Sequence, residues 1–142
     1  MPPKVLLTTI PSDSHNWNLI FMQLLMEEHG FDVMNLGACV PFTLLENTCN
    51  RIKPDIVVVS TVNGHGFIEG KELIAGLKKL DVMTGKPVFI GGKLSTDVNM
   101  SYLYALELEA AGFKKAYYKD VDLKEFISAL KEVSGLAYQA KY

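Results

Sequence analysis

The chain has 142 residues, 49% of them apolar and 21% charged, with a formal net charge of -2. That size supports one hydrophobic core without disulfide or metal staples, and the near-neutral charge provides no electrostatic footprint for DNA or RNA. Cys39 and Cys49 form neither a metal-binding spacing nor a disulfide framework, and the apolar run before Pro11 is too short for a signal or membrane segment. A cytoplasmic location, with no membrane contact, is expected.

Short β-rich runs alternate with helical runs from end to end. A strand over 4–10 leads into a helix over 17–29, which Gly30 stops. A strand over 32–36 follows, then a helix over 41–53 with Pro41 in its first turn and Pro54 behind it. The third strand, 56–60, reads IVVVS and is apolar on both faces, as a buried parallel strand should be. Next come a helix over 67–80, a strand over 87–90, a helix over 100–111 closed by Gly112, a strand over 115–118, and a helix over 123–133 capped by Asp122.

Five βα units with short connections predict a single domain, residues 1–142, with a core over about 4–133 and a loose tail from 134. The fold class expected is flavodoxin-like α/β, a doubly wound five-stranded parallel sheet in the order 2-1-3-4-5 with helices on both faces. This order places a switch point between the first and third strands, so ligands should bind over the loops at 11–16, 61–66 and 91–96.

The first of these loops sets Asp13 two residues before His15, flanked by Ser14, Asn16 and Trp17. In an extended segment both side chains point the same way, so Asp13 can accept a hydrogen bond from one ring nitrogen and leave the other for a metal. On these two residues alone a second reading stays open, in which Asp13 caps the first helix and His15 is a solvated loop residue. The second loop joins the hydroxyls of Ser60 and Thr61 to Val62, Gly64, His65 and Gly66. Glycines there admit a bulky ligand to the backbone and hydroxyls can bond heterocycle nitrogens, or the segment is a plain turn before a helix. In the third, Gly91, Gly92 and Lys93 offer backbone N–H groups and a cation to a phosphate or nucleotide edge.

Asp13-Ser14-His15-Asn16-Trp17-Asn18, Ser60-Thr61-Val62 and Gly91-Gly92 are similar to the Asp-x-His-x-x-Gly, Ser-x-Leu and Gly-Gly motifs of the cobalamin-binding domains of adenosylcobalamin-dependent mutases. The resemblance is above all to the small subunit of glutamate mutase (methylaspartate mutase), and it runs from Lys4 to about Val133. It implies a cobalamin, most naturally adenosylcobalamin, bound with its dimethylbenzimidazole detached from cobalt and buried as a tail. His15 would replace that base as the lower axial ligand and Asp13 would tune it. Ser60 would bond the dimethylbenzimidazole nitrogen, and Gly91 and Gly92 would leave room for the tail. Asn18 stands where the family motif has Gly, and Val62 where it has Leu.

The activity implied is that of the cofactor-carrying component of a carbon-skeleton mutase, an isomerase that needs a larger catalytic subunit and is inactive alone. A hetero-oligomer is expected, and the apolar set in the first helix exceeds what a surface helix on a sheet requires, so part of it should face another chain. Trp17 packs on the corrin, on that partner or on its own domain, and His65 either reaches a corrin amide or is solvated. A corrinoid methyl carrier is the second reading, although such proteins usually carry a helical cap domain ahead of the segment that begins here near Lys4. A cobalamin sensor is the third. A receiver-type signalling module would need a phosphoacceptor Asp at the end of the third strand, where Ser60 and Thr61 stand.

Overall fold

The computed structural model describes residues 2–119 and 122–135. Five strands, β1 (Lys4–Thr8), β2 (Asp32–Asn35), β3 (Ile56–Thr61), β4 (Val88–Gly92) and β5 (Lys115–Tyr117), form one sheet in the order β2-β1-β3-β4-β5. Every neighbouring pair is parallel, and the fold is flavodoxin-like.

Helices α1 (Trp17–Glu28) and α5 (Leu123–Ser134) cover one face, while α2 (Phe42–Ile52), α3 (Gly66–Leu77) and α4 (Ser101–Ala111) cover the other. The alternation of side chains along a strand divides the core accordingly. Val58 and Phe89 join Leu19, Met26 and Phe126 on the α1/α5 side, whereas Val57 and Val59 join Leu45, Leu73 and Leu108 on the other. A strand sealed on both sides can be apolar throughout, which is why IVVVS reads without alternation.

Helix boundaries follow local chemistry. Asp122 accepts a hydrogen bond from the Lys124 backbone N–H at 2.9 Å and so caps α5. Gly30 and Gly112, at φ 92° and 136°, follow the ends of α1 and α4, positions that most side chains resist. Pro41 sits at the N-cap of α2 with extended backbone, one place before the expected first turn.

Most elements have a boundary shifted by a residue from the sequence reading, and three differences bear on the packing and the site. Strand pairing of β1 ends at Thr8, although Ile10 is still fully buried. Helix α3 stops at Leu77, and a separate 3-10 turn at Asp81–Met83 returns Met83 to the core. Most consequentially, Gly91 and Gly92 belong to β4 rather than to a loop, opposite Ser60 and Thr61 of β3. Of the tail expected from 134, residues 136–142 lie outside the described part; Ser134 is the last residue of α5 and Gly135 its left-handed C-cap. Among the described residues no helix is long and apolar enough to cross a membrane.

Candidate functional site

At the carboxyl edge of the sheet, where the chain leaves β1 for α1 and β3 for α3, Asp13 is completely buried. Its Oδ1 accepts the His15 backbone N–H at 3.0 Å and stands 2.7 Å from the His15 ring Nδ1. One oxygen therefore fixes both the backbone and the ring of His15. The arrangement is an Asx turn rather than the extended segment the i, i+2 spacing suggested. Its Oδ2 accepts the Thr61 hydroxyl at 2.7 Å and the Val62 backbone N–H at 2.8 Å. The Asp13 carbonyl accepts the Cys39 N–H at 2.8 Å, which ties in the loop after β2.

This settles the competing reading of Asp13: it does not cap α1, whose N-cap is Asn16 with no side-chain hydrogen bond. Burial pushes the Asp13 carboxyl up, but hydrogen bonds from the His15 and Val62 backbones, the Thr61 hydroxyl and the His15 ring outweigh it. Together they hold the group at about 2, below its ordinary 3.8. A carboxylate at Nδ1 favours the tautomer with its proton on that nitrogen, which would present Nε2 as the electron-pair donor of a side chain that is 58% exposed. His15 thus offers one imidazole donor. Among the described residues no three His, Cys, Asp or Glu side chains are grouped to hold a metal ion, so a metal taken up here would bring its other ligands with it.

Beside this pair, a cleft of about 730 Å³ opens between α1 and α5 over the ends of β3, β4 and β5. Ser60 and Gly91 are register partners, and both line it. They continue the strand positions that Val58 and Phe89 occupy deeper in the sheet, so small residues at the tips leave space where larger ones fill the core. Gly92, at φ 109°, closes the strand; a Cβ there would overlap the Thr61 carbonyl oxygen. Val62 and Lys93 stand at the rim. The walls are apolar: Phe21 and Met22 from α1, Leu123 and Phe126 from α5, and Tyr117 at the end of β5.

The other residues singled out from the sequence are placed differently. Thr61 lies on the opposite sheet face, fully buried, as a donor to Asp13. Gly66 meets Thr61 and Leu94, with a Cβ only 2.7 Å from the Thr61 methyl, and its smallness lets α3 pack on the strand tip. Gly64, at φ 89°, turns the chain against Thr96. Neither glycine lines the cleft. Ser14 and His65 are exposed, and Trp17 is 84% exposed just beyond His15. Met22, read from sequence as a packing residue, packs on the core and also forms a cleft wall. The part played by α5 was not foreseen, because Leu123 and Phe126 look like ordinary core positions of an amphipathic helix.

Asn18, in the first turn of α1, reaches across to donate from Nδ2 to the Ser60 hydroxyl at 3.1 Å. Among the described residues its own Oδ1 is buried without a partner.

The features test whether a cobamide, a cobalt macrocycle with a nucleotide tail, fits this chain. A single oriented imidazole suits a metal whose equatorial ligands are already filled. A mostly apolar cleft floored by glycine, with the Ser60 hydroxyl at that floor, suits a flat aromatic base with a polar edge. The residues present fit.

Comparison with known proteins points the same way. No family model matches the chain. It is 26% identical over 134 residues to the glutamate mutase sigma subunit of Fusobacterium nucleatum subsp. nucleatum, covering 91% of this chain and 94% of that one. It is 27% identical over 137 residues to the glutamate mutase sigma subunit of Clostridium tetanomorphum, covering 93% and 96%. Among solved structures, a cobalamin-binding protein from Desulfitobacterium hafniense DCB-2 superposes with a TM-score of 0.73 at 20% identity. That match takes in 93% of this chain but 59% of the other, so the present chain spans about three fifths of that protein's length.

Proposed function

We propose that this chain is the cobamide-binding subunit of an adenosylcobalamin-dependent carbon-skeleton mutase of the glutamate mutase type, with His15 Nε2 as the lower axial cobalt ligand. The observation that carries the reading is the Asp13–His15 pair, in which a buried carboxylate 2.7 Å from Nδ1 leaves Nε2 as an oriented donor. The full-length similarity to glutamate mutase sigma subunits supports the choice among cobamide proteins.

When bound, adenosylcobalamin supplies a cobalt–carbon bond that can break homolytically, and the rest of the work here is positioning. Asp13 holds the proton on Nδ1 and fixes the plane of the His15 ring. The cleft between α1 and α5 takes the detached dimethylbenzimidazole, with Ser60 donating to its free ring nitrogen. Gly91 and Gly92 leave room along the nucleotide, and Lys93 at the rim faces its phosphate. Val62 forms part of the wall, while Thr61 and the glycines at 64 and 66 act indirectly, by setting the shape of the β3 tip. Ser14, Asn16 and Trp17 flank His15 on the side that meets the macrocycle and the partner.

The partner is a larger catalytic subunit that contributes the substrate cavity. Helix α1 is suited to meeting it, since Trp17, Ile20, Phe21 and Leu24 form an exposed apolar stripe on the side away from the buried Leu19 and Met26. The location expected is the cytoplasm.

The test is reconstitution with cob(II)alamin, followed by electron paramagnetic resonance. Nitrogen superhyperfine splitting should change from triplets to doublets on labelling the histidines with nitrogen-15, and the histidine-derived splitting should vanish in His15→Ala. Splitting that ignores the label would overturn the ligand assignment. A second sample, reconstituted with adenosylcobalamin and mixed with a glutamate mutase catalytic subunit, should produce methylaspartate from glutamate. Cobalamin binding without turnover would leave a methyl carrier or sensor instead.

A further inference from the structure

Asn18 stands where the family motif has glycine, yet it is not an idle replacement. Its Nδ2 donates to the Ser60 hydroxyl across 42 residues of sequence. Its Oδ1 is buried with no partner among the described residues, an unfavourable arrangement that glycine would avoid. The side chain is therefore held in place at a cost, and what it gains is the contact with Ser60.

A serine hydroxyl has one proton to give and can accept in two directions. With Asn18 occupying an acceptor position, the Ser60 proton is directed elsewhere, and among the described residues no side chain receives it. Ser60 lines the cleft opposite Gly91, so the free direction is toward the cleft's contents. A donor presented at the floor of a mostly apolar cleft, with Lys93, Tyr117, Tyr118 and Lys119 as its other polar lining residues, favours a base with an unprotonated ring nitrogen, and it offers much less to a base of the same size without one.

We infer that Asn18 is a positioning residue that orients the Ser60 hydroxyl as a donor, and that through it the cleft selects cobamides whose tail base carries an acceptor nitrogen. The inference rests on the cobamide reading above and adds a base specificity to it. Asn18 itself does not line the cleft. Its effect passes through one hydrogen bond.

The experiment is equilibrium dialysis of the full chain against two cobamides, cobalamin, whose tail is dimethylbenzimidazole, and p-cresolyl cobamide, whose tail is a phenol with no ring nitrogen. It is run on the unaltered protein, Asn18→Leu, Asn18→Ala, Ser60→Ala and the Asn18→Leu/Ser60→Ala double variant. The ratio of affinities for cobalamin over the cresolyl form should fall about five- to tenfold in both Asn18 variants, the range of one well-placed neutral hydrogen bond. Ser60→Ala should lose the same preference, and the double variant should lose no more than Ser60→Ala alone. Equal weakening for both cobamides, or losses that add in the double variant, would reduce Asn18 to a packing residue and overturn the inference. Failure of the unaltered protein to bind either cobamide would instead overturn the cobamide reading itself, and the base specificity with it.

Discussion

Ser60 of β3 and Gly91 of β4 are register partners on the face covered by α1 and α5, and this is where the sheet stops being filled by side chains and becomes the floor of a cleft. A side chain at position 91 would occupy the space the cleft provides. Its Cβ would stand 3.2 Å from the Tyr117 Cβ, close enough that the neighbour must yield slightly. Gly91→Leu should therefore cost about 1–3 kcal/mol of stability through crowding and weaken cobalamin binding at least about tenfold, or about 1.4 kcal/mol. Urea unfolding and equilibrium dialysis read the two effects separately.

Gly92 is constrained for another reason. Its backbone lies at φ 109°, and a Cβ would overlap the Thr61 carbonyl oxygen, which accepts the Lys93 N–H at 2.8 Å. Gly92→Ala should destabilise the fold by about 2–4 kcal/mol, visible as a lower urea midpoint with little change in slope. An unchanged midpoint would show that the strand tip tolerates a side chain.

The Asp13 carboxylate gives the fold a definite acid response. Its native value of about 2 lies below the ordinary 3.8, so the unfolded chain takes up a proton before the folded one does. The resulting stabilisation, about 2 kcal/mol, is fully present above pH 4 or so and disappears as pH falls toward 2. Asp13→Asn should be less stable at neutral pH, because an amide cannot accept from every donor gathered around this carboxylate. It should also lose that part of the decline between about pH 4 and 2. Urea unfolding of both proteins across this range would reveal whether the curves converge.

The two thiols should behave differently. Cys39 is exposed, while Cys49 is buried in α2, where burial first and the nearby Glu46 carboxylate second push its thiol up to about 11. At neutral pH an alkylating reagent should modify Cys39 within minutes and Cys49 only after unfolding. Mass spectrometry of the native and urea-treated protein counts the adducts, and rapid double labelling of the native chain would contradict the burial.

Much of the architecture was legible because it rests on local or periodic signals. The IVVVS run marked a covered parallel strand, and Gly30, Gly112 and Asp122 marked helix boundaries through backbone angle and capping chemistry. Gly91 and Gly92 were misplaced into a loop because glycine has little intrinsic preference for a strand, whereas pairing with Ser60 and Thr61 holds it there. The Asp13–His15 contact could be anticipated from a spacing of two, but the Thr61 and Val62 donors lie 48 and 49 residues away and arise only when β1 and β3 pair. Likewise, nothing in the α5 pattern separates a residue that packs on the sheet from one that walls a cleft. Leu123 and Phe126 needed the tertiary arrangement to be recognised.

The Asp13 side chain has a mechanical consequence. One of its oxygens grips His15 and the other grips Thr61 and Val62, the latter a residue at the rim of the cleft. The imidazole and the rim are thus joined by a short, stiff strut, and neither can shift by much without dragging the other. On the proposed function, insertion of a base between α1 and α5 and a pull on the His15 ring would become two ends of one lever, through which events at a bound metal would be felt in the cleft.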